Sequence, residues 1–319
     1  QTAGYGEDPY CDQARKLIAG LCGRTDLDIH FLIGGTQTNF TVIAAALRPH
    51  QCVLCADTGH INVHESGAVE ACGHKVSAIP SPDGKLTARQ IEEAWHAHWD
   101  DETREHMPQP RMVYISQPTE LGTIYSRKEL QEISGVCRRR GLYLYMDGAR
   151  LGYGLCDEDN DLDLPAISSL CDAFYIGGTK VGALFGEALV LRHEALKEDF
   201  RYIAKQKGGR LAKGRLLGIQ FLELFRDGLY FRLGAHADRL AVMLRDFCRS
   251  RGLALPFSSG TNQQFVTMPD SVLEELGRKY GFAYLRREDE THSTVRFCTS
   301  WATREEDVRE LMADIARLC

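Results

Sequence analysis

Short apolar runs alternate with helical stretches along the first part of the chain, and this alternation constrains the fold more than any other feature. The runs are rich in apolar and β-branched residues and lie at Cys52–Ala56, Met112–Ser116, Leu142–Met146, Ala173–Ile176 and Ala188–Leu191. Helical stretches occupy Thr36–Leu47, Thr87–Trp99 and Arg127–Arg140, the second with a capping box and the third ending at Gly141. This order predicts a mostly parallel α/β sheet flanked by helices.

The pattern changes around residues 201–218, which predicts a second, smaller unit. Lys205–Gly214 is basic and rich in glycine, and this composition is typical of a loop. A long helical stretch over Leu216–Arg251 follows, and then strands and helices alternate over shorter distances. We therefore expect a large α/β domain at 1–215, and a bridging helix with a small α+β domain at 216–319.

Composition excludes some classes of protein. The 319 residues include 38 Lys and Arg against 44 Asp and Glu, and the net charge of −6 argues against a protein that binds nucleic acid without sequence preference. We find no apolar run that could span a membrane and no secretory leader. The eleven scattered cysteines indicate free buried thiols, so we expect a cytoplasmic protein. Because the first residue is Gln1, we also expect a native N-terminal arm to be missing.

Three motifs follow apolar runs, and each has a plain alternative. Gly34-Gly35-Thr36 opens a helix and fits a phosphate, although a simple Thr-capped turn has the same sequence. Asp147 ends a strand and could hold a protonated ring nitrogen, or it could pair with Arg150. Lys180, after Gly178-Thr179, could be a nucleophilic amine or a surface lysine. A phosphate cradle, an aspartate and a lysine in this order are what pyridoxal phosphate requires.

The chain resembles the threonine aldolase and β-eliminating lyase family of fold-type I pyridoxal-phosphate enzymes. The resemblance rests on GGTQTN at 34–39, DTGHINVHESGA at 57–68, DGAR at 147–150, GGTK at 177–180 and VRFCTSWAT at 295–303. It extends over essentially the whole chain, from YGEDPY at 5–10 onwards. The resemblance implies a seven-stranded type of sheet with a small C-terminal domain. Within the family, the chain is similar to the low-specificity L-threonine aldolases.

The resemblance also implies roles for individual residues. Lys180 would form the Schiff base with the cofactor, Thr179 beside it would also bind the cofactor, and Asp147 would pair with the pyridine nitrogen. His60 would stack on the ring and could act as a base. The remaining implied contacts are Gly35 and Thr36 to the phosphate, Arg150 to the 3′-oxygen or the substrate, Glu65 to the substrate, Arg296 to the substrate carboxylate, and Lys213 to a neighbouring subunit's phosphate.

The sequence departs from the family pattern in two places. Gln117-Pro118-Thr119-Glu120 stands where relatives carry Glu-Asn-Thr-His, so Glu120 replaces a histidine near the substrate hydroxyl. This replacement affects the base for the β-hydroxyl and the preference between threonine and allo-threonine. The family's arm ahead of YGEDPY, which carries a substrate-contacting serine, is not in the chain.

We therefore expect a pyridoxal-phosphate-dependent lyase that cleaves the Cα–Cβ bond of threonine or allo-threonine to glycine and acetaldehyde. β-Elimination on another amino acid, transamination and a non-catalytic cofactor-binding relative are the alternatives. We expect a homo-oligomer, a dimer or a dimer of dimers, with shared active sites. Cys52 and Cys55, and His60 and His64, have the spacing of metal ligands but lack further partners, so we expect no metal site.

Overall fold

The computed structural model describes residues 1–319 and contains two β-sheets. Seven strands form the first sheet: β1 Asp28–Leu32, β2 Gln51–Ala56, β3 Lys75–Ile79, β4 Gln109–Ser116, β5 Tyr143–Asp147, β6 Ala173–Gly177 and β7 Glu187–Leu191. Three strands form the second: β8 Gln263–Pro269, β9 Ala283–Arg287 and β10 His292–Cys298. The second sheet is antiparallel, with β10 in the middle.

The first sheet has the strand order β1-β7-β6-β5-β4-β2-β3. Strands β3, β2, β4, β5 and β6 pair in parallel, and β7 is antiparallel to both of its neighbours. Because β7 runs backwards, its first residue lies at the edge where the parallel strands end. The mostly parallel α/β fold that the sequence predicts is confirmed.

Helices cover both faces of the first sheet and one face of the second. The first seven are α1 Pro9–Leu21, α2 Gly35–Ala46, α3 His60–Val63, α4 Ala68–Ala71, α5 Ala88–Trp99, α6 Arg127–Arg140 and α7 Leu151–Gly154. The other seven are α8 Leu164–Leu170, α9 Glu194–Lys197, α10 Phe200–Gln206, α11 Arg215–Phe225, α12 Leu229–Ser250, α13 Asp270–Gly277 and α14 Glu305–Leu318. None of the fourteen combines the length and the apolar character needed to cross a bilayer.

Alternation along the strands of the first sheet builds two cores. On β4, Val113 and Ile115 belong to the larger core, whereas Met112 and Tyr114 belong to the core on the opposite face. Successive side chains of a strand point to opposite faces, so a strand covered on both sides is apolar at every position. This burial on both faces explains why these strands read as continuous apolar runs in the sequence.

The helix predicted over Leu216–Arg251 is two helices. Residues Arg226–Gly228 form a short 3-10 turn between α11 and α12, with Asp227 at φ 52° and Gly228 at φ 69°. Two successive left-handed residues end an α-helix, and the side-chain periodicity on either side does not reveal the break. Helix α2 also begins one residue earlier than expected, at Gly35, with Gly34 and not a threonine at its N-cap.

Helix α12 joins the larger core of the first sheet to the core of the small sheet. Its first half contributes Tyr230 and Ala237 to the larger core. Its second half contributes Leu240, Leu244 and Cys248 to the core beneath β8 and β10. The expected domain limits at 1–215 and 216–319 stay a prediction, and the predicted loop at Lys205–Gly214 starts inside α10.

The cysteines are all free thiols, and seven of the eleven are buried. Burial raises the pKa of the Cys22 thiol to about 12 and that of Cys52 to about 11. A buried, protonated thiol is a poor nucleophile. These cysteines therefore behave as small apolar residues of the core.

Gly148 should tolerate no side chain. A β-carbon at this position would lie 1.8 Å from the backbone oxygen of Tyr175, whereas one at Gly20 of α1 would meet no atom within 4 Å. We expect Gly148→Ala to lower the free energy of unfolding by about 3 kcal/mol or more, because backbone must move. The matched control Gly20→Ala should raise it by about 0.5–1 kcal/mol. Urea unfolding measures both, and equal midpoints for the two variants would contradict this packing.

Candidate active site

The carboxyl edge of the large sheet brings together the ends of four strands. Ser116 of β4 lies opposite Asp147 of β5, and Gly177 of β6 lies opposite Glu187 of β7. Glu187 also lies opposite Leu32, the last residue of β1. Ligands of open α/β sheets bind at this edge, where loops after several strands converge.

A cavity of about 250 Å³ opens at this edge. Its walls include six residues that the sequence analysis selects: Gly35, Thr36, His60, Asp147, Thr179 and Lys180. Four separate chain segments supply them, so the fold collects motifs that are far apart in sequence. Tyr175 and Glu187 also line the cavity.

Asp147 is buried and receives four hydrogen bonds. Tyr114 and Tyr175 donate their hydroxyls at 2.6 and 2.5 Å, and Asn39 donates its amide at 2.9 Å. The backbone N–H of Ala149 supplies the fourth at 2.9 Å. Burial would raise the pKa of Asp147, but the hydrogen bonds from the two tyrosines hold it below its ordinary value. The site therefore contains a fixed negative charge.

The residues that hold Asp147 were missed in the sequence. Tyr114 and Tyr175 lie on β4 and β6, on the same face as Tyr145 of β5. A tyrosine inside each of three apolar runs was the available signal, because a buried hydroxyl needs a polar partner. Asn39 stands in the GGTQTN motif itself.

Lys180 lies three residues beyond β6 and borders the cavity. Burial lowers the pKa of its ammonium group, and the positive charge of Arg150 lowers it further. A lysine with a depressed pKa is a neutral amine more often at neutral pH, and only the neutral amine attacks a carbonyl carbon. This environment favours the nucleophilic interpretation over the surface lysine.

Glu187 is a second carboxyl group at the cavity that the sequence analysis did not select. It is buried, it accepts a hydrogen bond from the Gly178 N–H at 2.9 Å, and burial raises its pKa to about 7. A single glutamate that opens an apolar strand was the available signal. Its raised pKa means that it can carry a proton near neutral pH.

The N-terminus of α2 forms part of the cavity wall. Gly34, Gly35 and Thr36 border it, and no side chain caps the helix. The first N–H groups of a twelve-residue helix thus lack intrahelical partners and point out of its end. These donors and the helix dipole suit a phosphate group.

His60 contacts both glutamates that the sequence analysis selected. Its Nδ1 lies 2.8 Å from Glu65 Oε1, and its backbone N–H donates to Glu120 Oε1 at 2.9 Å. Burial would lower the pKa of His60, but the hydrogen bond to Glu65 and the charge of Asp147 raise it above its ordinary value. Burial also raises the pKa of Glu120, whose Oε1 accepts a hydrogen bond from Ser116 at 2.7 Å.

Two arginines near the site have buried nitrogen atoms without partners. The Nε atoms of Arg150 and Arg296 make no hydrogen bond, although Arg296 Nη1 donates to Gln263 Oε1 at 3.1 Å. Arg296 comes from β10 of the small sheet, and its charge helps to lower the pKa of His64, after burial and the charge of His60. Unused guanidinium donors of this kind suit a carboxylate.

Five predicted site residues do not line the cavity: Glu65, Glu120, Arg150, Arg296 and Lys213. Glu65 and Glu120 contact His60 of the lining, whereas Lys213 has no such contact. It is exposed in the loop between α10 and α11 and makes no contact with the other site residues. The sequence-based role of this lysine was in a neighbouring subunit, so its distance from the site of its own chain does not test that role.

Comparisons with known proteins agree on one family. A family model described as beta-eliminating lyase matches residues 1–271. Two low specificity L-threonine aldolases, from Pseudomonas sp. (strain NCIMB 10558) and Pseudomonas aeruginosa, are 34% and 33% identical, covering 98% of this chain and 88% of their own. A threonine aldolase structure from Leishmania major is 44% identical with a TM-score of 0.97, covering 100% of this chain and 92% of its own.

Enzymes of this family depend on pyridoxal phosphate, and the residues at the cavity fit that group. The uncapped helix α2 offers donors for a phosphate, Asp147 offers an anion for a ring nitrogen, and Lys180 offers an amine for an aldehyde. The three groups border the same cavity.

Arg150→Gln should raise the pH at which Lys180 reacts with an amine reagent, because burial and then the positive charge of Arg150 lower the pKa of this lysine. In the apoprotein, trinitrobenzenesulfonate labelling followed by mass spectrometry measures the pH midpoint of the reaction at Lys180. An equal midpoint in the unchanged protein and in Arg150→Gln would contradict the effect of Arg150 on this pKa.

Proposed function

Because this chain belongs to the beta-eliminating lyase family, we propose that it cleaves the Cα–Cβ bond of a β-hydroxy amino acid, converting threonine or allo-threonine to glycine and acetaldehyde. The curated relatives and the Leishmania major structure carry the name threonine aldolase. The observation that carries the proposal is the cavity in which Asp147, Lys180, His60 and the N-terminus of α2 meet.

Pyridoxal phosphate, when bound, supplies a ring that accepts the electron pair of the bond that breaks. Lys180 would hold the cofactor covalently and release it to the incoming amino group. Asp147, charged and buried, would keep a proton on the ring nitrogen. The donors at the start of α2 would hold the phosphate.

Substrate orientation depends on the arginines. Arg296 would bind the carboxylate through its unpaired Nε, while Gln263 fixes the other end of its guanidinium. Arg150 would add a second positive charge, and its role towards the 3′-oxygen stays a prediction. A carboxylate held in this way would fix the orientation of the substrate in the cavity, and this orientation would select the bond that breaks.

Glu120 is our candidate for the group that accepts the β-hydroxyl proton. It contacts the backbone of His60, and its pKa is raised by burial, which makes it a stronger base than an exposed glutamate. His60 itself would lie against the ring with its proton held towards Glu65. The role of Glu65 towards the substrate stays a prediction, because its Oε1 contacts His60 and Asn39.

A second subunit is our proposal for what completes the site. Ile33 at the cavity, Leu184 beside it and Leu216 after the Lys213 loop are large apolar residues exposed to solvent, Leu184 by 88%. Exposed apolar residues around a site are typical of a subunit interface. A partner's Lys213 would then reach the phosphate. The cytoplasmic localisation expected from the sequence also stays a prediction.

The purified protein, loaded with pyridoxal phosphate, should convert threonine to equal amounts of acetaldehyde and glycine. Product analysis separates this cleavage from β-elimination, which yields ammonia and a keto acid, and from transamination, which consumes an added keto acid. Each threonine diastereomer is tested separately. Ammonia without glycine would favour elimination and overturn the aldolase proposal.

Glu120→Gln should lower kcat by about 100-fold or more, with little change in KM, because an amide cannot accept the proton. In the unchanged protein the rate should fall as pH drops through the raised pKa of Glu120, since the carboxylate is the active form. The hydrogen bond from Ser116 lowers that pKa, so Ser116→Ala should move the acid limb to higher pH. An acid limb unmoved by Ser116→Ala and full activity in Glu120→Gln would rule out this role.

Mixing two inactive variants tests the shared site. A Lys180→Ala subunit lacks the lysine that its own site needs for the Schiff base. A Lys213→Ala subunit lacks the lysine that would contact the phosphate in its partner's site. After subunit exchange, mixed dimers should restore about a quarter of the original activity, because half of the dimers are mixed and each has one intact site. No recovery despite proven exchange would contradict the role of Lys213.

A further inference from the structure

The side-chain amide of Asn39 contacts two carboxylates at once. Its Nδ2 donates to Glu65 Oε1 at 2.7 Å and to Asp147 Oδ2 at 2.9 Å. Tyr145 donates its hydroxyl to Asn39 Oδ1 at 2.8 Å. This third bond fixes the orientation of the amide, because only the oxygen can accept from a hydroxyl that faces it. Asn39 is fully buried, and each of its polar atoms has a partner.

These bonds belong to a continuous chain of contacts that joins both sides of the cavity. At one end, Glu65 Oε1 also contacts His60 Nδ1. At the other end, Asp147 receives the hydroxyls of Tyr114 and Tyr175. His60 and Asp147 both border the cavity, whereas Asn39 and Glu65 lie behind it.

Glu65 and Asp147 approach the same nitrogen in the protein interior. Two negative charges repel one another strongly there, because no water screens them. Such a pair ordinarily takes up a proton, so that one member becomes neutral. Asn39 counters this tendency by giving one N–H to each carboxylate, and its amide carries no proton that either can take. An aspartate has nearly the same shape as asparagine but offers two acceptors and no donor.

We propose that Asn39 is a positioning residue that keeps Glu65 and Asp147 both charged, and thereby sets the proton on the ring nitrogen of the bound cofactor and the proton on His60. The proposal rests on the proposed function only for the placement of the ring nitrogen at Asp147. It requires no contact between Asn39 and the substrate.

Other titratable groups face this cluster from the neighbouring strands. They are Tyr114 on β4, Glu120 after it, Tyr145 on β5, Tyr175 on β6, Lys180 after it, and Glu187 on β7. Most of their environments favour the neutral form, since burial raises the pKa of the tyrosines and of both glutamates. Asn39→Asp leaves all of them in place.

The test measures the cofactor itself, without an amino acid. Apoprotein of Asn39→Asp and Asn39→Leu is titrated with pyridoxal phosphate, and the absorption of the bound cofactor is then followed against pH. The absorption of the bound cofactor changes when the nitrogen that joins it to Lys180 loses its proton. We expect the pH of this absorption step to rise by about one unit in the variants, because a ring nitrogen without its own proton no longer repels the proton on that linking nitrogen. We also expect at least about tenfold weaker cofactor binding.

Tyr145→Phe is the mildest change, since it removes only the hydroxyl that orients the amide. It should move the step in the same direction by a smaller amount, and it remains informative if the Asn39 variants fail to fold. Thr41→Val is the matched control on the same helix, because the buried Thr41 hydroxyl has no partner. It should leave the absorption step in place.

Histidine NMR provides an independent readout. If a proton enters at Glu65, the support that raises the pKa of His60 is lost, and its titration should move to lower pH. Movement of the cofactor step or of the His60 titration supports the proposal. If neither moves in any folded variant, and only the melting temperature falls, Asn39 has a purely structural role and the proposal is overturned. The test does not measure threonine cleavage, so its result is independent of whether the protein turns out to be an aldolase.

Discussion

The hydrogen bonds that hold the buried carboxylate of Asp147 are the interaction on which the site depends. An isolated charge at this depth would be costly, and hydrogen bonds to a charged group each recover about 1.5–3 kcal/mol. Tyr114, Tyr175 and Asn39 provide three of them from β4, β6 and α2. The charge therefore exists only because four elements pack in one arrangement, and this arrangement also sets the walls of the cavity.

The same packing explains why the neighbouring groups have unusual proton affinities. His60 is held through Glu65 and Asn39 to Asp147, and its pKa is raised, while burial and Arg150 lower the pKa of Lys180. Groups whose pKa values are shifted in opposite directions around one cavity are typical of sites that carry out acid–base chemistry. Arg296, which we propose as the partner of the substrate carboxylate, belongs to the small sheet, so this proposed contact depends on how the two sheets are joined along α12.

The sequence predicted the parts whose signals are local. Buried strands such as Ala173–Gly177 are apolar at every position, and Thr87 with Gln90 forms the capping box at the start of α5. It missed the break at Asp227 and Gly228, because left-handed residues leave side-chain periodicity unchanged. It also missed Tyr114, Tyr175 and Glu187, since their importance arises from strand pairing between distant segments. Asp147 and Lys180 were selected from the sequence because each stands in a short motif at the end of a strand or just beyond it.

The most direct measurement is to identify the lysine that carries the cofactor. Pyridoxal phosphate is added to the protein, the Schiff base is fixed by borohydride reduction, and peptide mass spectrometry locates the pyridoxyl group. The geometry of the cavity predicts a single modified residue, Lys180, and no pyridoxyl group on any peptide of Lys180→Ala. A pyridoxyl group on Lys213 or another exposed lysine, with Lys180 unmodified in a protein that retains the cofactor, would contradict the assignment of this cavity.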